Sequence, residues 1–150
     1  MINVLILSGK NNHDYKRTSP FFKDTLENDG RFSVQIVYNV DEYLSAPNSL
    51  DNVDVIIMDY NGPMWSDPAK SNFVASIERG TGLVAIHAAN NWPSGFPELE
   101  KMLGVIWSKG SGHGYFHQFE VCFASPDHPP SGCLSRIPSY RAGIAQTTYA

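Results

Sequence analysis

The residues able to do chemistry in this sequence gather where apolar runs end. Leu83–Ile86 stops at His87 and continues into Asn90, Asn91 and Trp92. Ile2–Leu7 runs into Ser8-Gly9-Lys10-Asn11-Asn12-His13-Asp14, and Val55–Met58 into Asp59-Tyr60-Asn61-Gly62-Pro63. An imidazole at such a tip can be a general base, a ligand or a hydrogen-bonding group for substrate. Asp14 and Asp59, with Glu98 or Glu100 farther on, are carboxylates of the kind that do acid–base work on either side of a sugar. Asp59 equally suits a turn cap. Asn11, Asn12, Asn61, Asn90 and Asn91 each donate and accept, which fits a polyhydroxylated ligand. Any single Asn is also an ordinary turn residue, because it tolerates left-handed backbone. Trp65 and Trp92 can stack on a sugar face or close a pocket by packing.

His113 and His117 lie in the Gly-rich stretch Ser108–Gly114 and just beyond it. Their i, i+4 spacing places two rings on one face of a helix, but Gly112 and Gly114 argue against a helix there. On a strand they stand ~13 Å apart at about 3.3 Å per residue, too far to share an ion. With His13 and His87 they form either a divalent-metal site in a kinked loop or polar lining of a pocket. No G-x-S-x-G elbow and no Walker loop occur. Gly80-Thr81-Gly82 and Gly110-Ser111-Gly112-His113-Gly114 lack the dinucleotide-binding context. No cysteine sits at a strand-to-helix turn, which disfavours thiol catalysis.

The elements that must carry these residues alternate. Strands are expected at Ile2–Leu7, Phe32–Tyr38, Val53–Asp59 and Leu83–His87, the last a buried central strand. A helix is expected after Thr18 or Ser19 as cap, with Pro20 in its first turn, an apolar stripe of Phe21, Phe22, Thr25 and Leu26, and a stop at Gly30. Another follows Ser66 or Asp67 and ends at Gly80, and a short one covers Pro97–Leu103 with Gly104 as its stop. Asp41–Asn52 reads as a connector with room for a helical turn. Tyr115–Ala124 reads as a further strand, and Asp127–Ala150 as mostly irregular. Right-handed βαβ crossovers then imply an α/β, flavodoxin-like three-layer domain with a mainly parallel sheet in the order 2-1-3-4. In such a sheet ligands bind outside the carboxyl ends of the strands.

The totals narrow the classes. A chain of 150 residues with 42% hydrophobic and 17% charged residues is a single globular domain's worth. A net charge of −4 without a basic cluster argues against a nucleic-acid surface. Cys122 and Cys133 show no metal or redox spacing. With no leader pattern and no membrane-length apolar run, a cytoplasmic protein with no membrane partner is expected.

Together, Ser8–Asp14, then Asn61-Gly62-Pro63 with Trp65, then Gly82–Asn91, and lastly Gly112–Val121 with Asp127-His128-Pro129 resemble the trehalose-utilisation (ThuA-like) family. The similarity covers roughly Ile2 to Pro129. It implies a fold similar to class I glutamine amidotransferases and a link to trehalose or related sugar metabolism. In those relatives a nucleophilic cysteine follows the strand that here ends at His87; this chain has none there, so amidotransferase activity is not implied. Residues 130–150 depart from the family's continuation, which suggests a single domain, C-terminally incomplete, with a divergent tail. The expectation is a domain that binds or processes a small-molecule sugar. His87, His13 and Asp14 are its candidate catalytic groups. Asn12, Asn61, Trp65, Asn90, Asn91, His113 and His117 are its candidate binding groups. A non-catalytic ligand-binding module and a metal-dependent hydrolase or isomerase are the alternatives. An open sheet edge or apolar face makes a homo-oligomer possible.

Overall fold

Three apolar runs side by side give the molecule its frame. A computed structural model describes residues 1–91, 95–115 and 117. The strands are β1 (Ile2–Gly9), β2 (Phe32–Val37), β3 (Val55–Tyr60) and β4 (Gly82–Ala85). All pair in parallel, in the order β2-β1-β3-β4 among the described residues. The helices are α1 (Tyr15–Glu27), α2 (Val40–Ser45), α3 (Asp67–Glu78) and α4 (Pro97–Leu103), and a 3-10 turn spans His87–Asn90. The flavodoxin-like α/β layout expected from the sequence is the observed one, and α2 fills the connector.

Side-chain alternation sorts the core into two layers. On β1, Val4 and Ile6 pack with Val34 and Ile57, and with Phe22 and Leu26 of α1. Leu5 and Leu7 face the other way, toward Ile56, Met58, Leu44, Phe73 and Leu99. β1 and β3 are therefore apolar on both faces, as a covered parallel sheet requires.

Three expectations need correction. α1 starts at Tyr15, so Thr18 and Ser19 are helical residues and Pro20 lies inside the helix. Proline favours a helix's first turn, but here Pro20 lies in the second turn, five residues after the start. Phe21 is 64% exposed, and the inward stripe runs through Ser19, Phe22 and Leu26, a spacing that follows the helical repeat. β4 is not buried as expected. It is the outer strand among the described residues, with Gly82, Val84 and Ala85 exposed and Leu83 half-buried. An apolar run reports hydrophobicity, not which side of a sheet is covered.

By compactness the chain divides into two units, Met1–Trp107 and Ser108–Ala150. Every element above belongs to the first. In the second, Ser108–Ser111 forms a turn closed by Ser111 N–H donating to Ser108 O, with Gly110 at a left-handed φ of 101°. The strand expected at Tyr115–Ala124, the stretch Asp127-His128-Pro129, both cysteines and Trp92 lie outside the described residues, apart from Tyr115 and His117. Among the described residues no helix is long and apolar enough to cross a membrane.

Candidate functional site

Strand register brings the tips together. Ser8 pairs with Asp59 and Gly9 with Tyr60, while Ala85 pairs with Met58 and Ile86 N–H donates to Met58 O at 2.9 Å. Ser8 and Asp59 stand on the α1 face, two residues beyond Ile6 and Ile57, so both point beneath the first turns of α1. Asp59 is only 3% exposed. A buried carboxylate needs donors, and α1 supplies them. Thr18 Oγ1 donates to Asp59 Oδ2 at 2.5 Å and Ser19 Oγ at 2.8 Å. Asn11 Nδ2 donates to Asp59 Oδ1 at 3.0 Å, and the Ser19 and Ser8 hydroxyls lie 2.7 Å apart. Asp59 thus ties β3 to β1, to the loop after β1 and to α1.

That loop carries His13. Asn11 Oδ1 accepts His13 N–H at 2.9 Å, an Asx-type turn, and Lys10 before it adopts a left-handed φ of 54°. The His13 ring meets the His87 ring edge to face, with centroids 4.4 Å apart and planes at 65°. His87 opens the 3-10 turn one residue after β4, and its own φ is 45°. A side chain held in that region at a strand-to-helix bend stores strain of about 1–3 kcal/mol and projects outward. Both histidines are exposed, above the buried Ala88 and Ala89.

β3's tip forms the neighbouring wall. Asn61 Nδ2 donates to Asn12 Oδ1 at 2.9 Å, joining two of the expected binding amides. Gly62 is obligatory here, since an added Cβ would come within 2.3 Å of Lys10 Cβ and 2.6 Å of the Tyr60 hydroxyl. Tyr60 donates to Pro63 O at 3.1 Å. Burial raises its phenol above the ordinary value, against the lowering effect of a hydrogen bond with Trp65.

Trp65 departs from the expected role. It is 2% exposed, its ring packed among Tyr60, Phe73 and Phe96 at 5.1–6.0 Å between centroids. Its place is the core under the site, so it offers a ligand no open face. Asp14 is exposed. It precedes α1 as its cap residue, with its carbonyl accepting the Arg17 and Thr18 amides and its carboxylate 3.9 Å from the Arg17 guanidinium. Asn90 ends the 3-10 turn and its carbonyl accepts Trp107 N–H, while Asn91 follows, exposed. His113 and His117 are exposed and belong to the second unit. Among the described residues no three His, Cys, Asp or Glu side chains gather into a set of metal ligands.

Thr18 and Ser19 are the site residues the sequence reading missed, having been assigned to a cap. The usable signal was Ser19 on the same helical stripe as Phe22 and Leu26. A small polar residue on an inward stripe needs a polar partner.

Comparison with known proteins identifies the family and the fold. Residues 3–137 match the family model described as trehalose utilisation, past the Pro129 limit of the motif resemblance. A ThuA-like protein of Parabacteroides merdae shares the fold with a TM-score of 0.74 and 23% identity, over 92% of this chain and 58% of that one. A ThuA-like protein of Bacteroides uniformis does so with a TM-score of 0.68 and 22% identity, over 97% of this chain and 59% of that one. The chain thus spans less than two thirds of either solved relative. No curated protein matches it. With the family model covering most of its length, the chain belongs to the ThuA, or trehalose-utilisation, family.

Proposed function

We propose that the carboxyl edge of this sheet binds, and chemically processes, a carbohydrate such as trehalose or a related sugar. The observation that carries the reading is the His13–His87 ring pair, 4.4 Å between centroids, with His87 on a left-handed bend at a strand tip. Imidazole exchanges protons near neutrality, and two in contact can divide the roles of acid and base. The amides Asn12, Asn61, Asn90 and Asn91 follow the same strand tips, together with the exposed, charged Lys10 and Asp14. Amides that both donate and accept suit a ligand's hydroxyls. The family's association with trehalose utilisation supports the same class. Asp14, His113 and His117 remain proposed contributors, and a small-molecule sugar in the cytoplasm is the proposed setting.

Titration with trehalose and glucose, followed by the imidazole signals of His13 and His87 in NMR, tests the reading. Perturbation of both rings in wild type, with the His13 response lost in His87→Ala, supports it. Binding of either sugar that is indifferent to His87→Ala and to His13→Ala overturns it. Saturable binding with no chemical change on long incubation would place the domain with ligand-binding modules instead of enzymes.

A further inference from the structure

The opposite end of the same edge carries two aromatic rings that the acid–base pair does not use. Tyr38 follows β2 and is 48% exposed, and Tyr15 opens α1, half-buried. Their ring centroids lie 6.4 Å apart, tilted by 53°. Both rings hang over the tip of β1. A Cβ built on Gly9 would stand 3.8 Å from Tyr38 Cδ1 and 3.9 Å from Tyr15 Cε2. Gly9 has no side chain and sits at φ +112°, so only backbone lies against the two rings at this tip.

Strand order fixes the layout. From the tip of β2 to the tip of β4 the edge crosses three strand spacings, ~14 Å at about 4.8 Å each. The tyrosines occupy one end and His87 the other, with the polar loop Lys10–Asp14 between. A half-exposed phenol has an apolar body and a polar tip, which matches a pyranose ring with its apolar C–H face and its rim of hydroxyls. We infer that Tyr38 and Tyr15 form a stacking subsite for a sugar ring at the β2 end of the edge. Its ligand class is a cyclic sugar extended toward the histidines. The inference rests on the carbohydrate reading above and adds the residues that would select a ring over an open-chain polyol.

The test compares trehalose, glucose and the acyclic polyol sorbitol by calorimetry and NMR, on wild type, Tyr38→Ala, Tyr38→Phe and His87→Ala. The expected result is about three- to tenfold weaker trehalose binding in Tyr38→Ala, the worth of one aromatic contact. Tyr38→Phe should bind nearly as wild type, sorbitol binding should not change, and the Tyr38 ring protons of wild type should shift on trehalose addition. Tyr38→Ala binding trehalose as tightly as wild type while His87→Ala loses it overturns the subsite and leaves the proposed function standing. Equal losses in Tyr38→Phe and Tyr38→Ala overturn stacking in favour of the hydroxyl alone. Should Tyr38→Ala fail to fold, silent Tyr38 ring protons in the wild-type titration overturn the subsite. Wild type that binds neither sugar overturns both.

Discussion

His87 shows how one residue can be costly to the fold and still be kept. Glycine takes a φ near 45° without the Cβ clash that histidine meets. His87→Gly should therefore be more stable than His87→Ala by about 1 kcal/mol, although both lose the ring contact with His13. Urea unfolding of the two variants checks this, and equal midpoints would mean the bend is unstrained. Asp59 presents the converse case, a residue whose removal the fold cannot absorb. Asp59→Ala leaves the donors on Thr18, Ser19 and Asn11 without their acceptor. At ~1–3 kcal/mol for a buried polar group deprived of its partner, a loss of about 2–4 kcal/mol is expected. Asp59→Asn should lose less, because a hydroxyl can rotate to accept from the new amide. The same variants should disturb the His13 ring signal, since Asn11 links Asp59 to the His13 backbone.

At the level of elements, α1 is fastened at both ends by different chemistry. Its start is tied to Asp59, and its end is latched to the outer strand β2. Lys23 Nζ donates to Glu27 Oε1 at 2.6 Å and to Val34 O at 2.5 Å, and Val34 N–H donates to Glu27 Oε1 at 3.2 Å. The Lys23 hydrogen bond first, and the Val34 amide second, hold the Glu27 carboxyl below its ordinary 4.5. A depressed folded value means the latch contributes fully above the unfolded carboxylate range and is lost as pH falls through the folded value. Hydrogen-exchange protection of the Val34 amide should drop across that acid window, and Glu27→Gln should flatten the response. The strands, their order and the glycine stop at Gly104 were legible in the sequence, because hydrophobic runs and left-handed caps are local signals, whereas α1 ends at Glu27 with Asn28 as its cap, before the left-handed Gly30. The start of α1 was not, because what holds Thr18 and Ser19 is a carboxylate some forty residues away. Trp65 misled for a related reason. A tryptophan beside a polar tip looks the same in sequence whether its ring turns outward or, as here, inward onto Phe73 and Phe96. The His13–His87 contact joins two motifs that were each readable, but only strand order makes them meet.

At the scale of the whole molecule, the sheet is unequal at its two sides among the described residues. Phe32, Val34, Ile36 and Val37 of β2 are all partly or fully covered, while on β4 Val84 is 45% exposed between the exposed Gly82 and Ala85. Val105, in the same unit, is likewise half exposed. An outer strand with apolar side chains in water is a template for pairing with a second chain, and natural proteins usually blunt such strands with charge. β4 carries none. We therefore expect association of this chain to grow with concentration and to run through β4. Sedimentation velocity across a dilution series should show it in wild type. Val84→Lys puts a charge on the outer strand without touching the Met58–Ala85 pairing or the His87 bend, so it should shift the protein toward monomer while leaving the His13 and His87 signals unchanged. A wild-type chain that stays monomeric throughout the series, or a Val84→Lys chain that associates just as strongly, would show that β4 is not the contact.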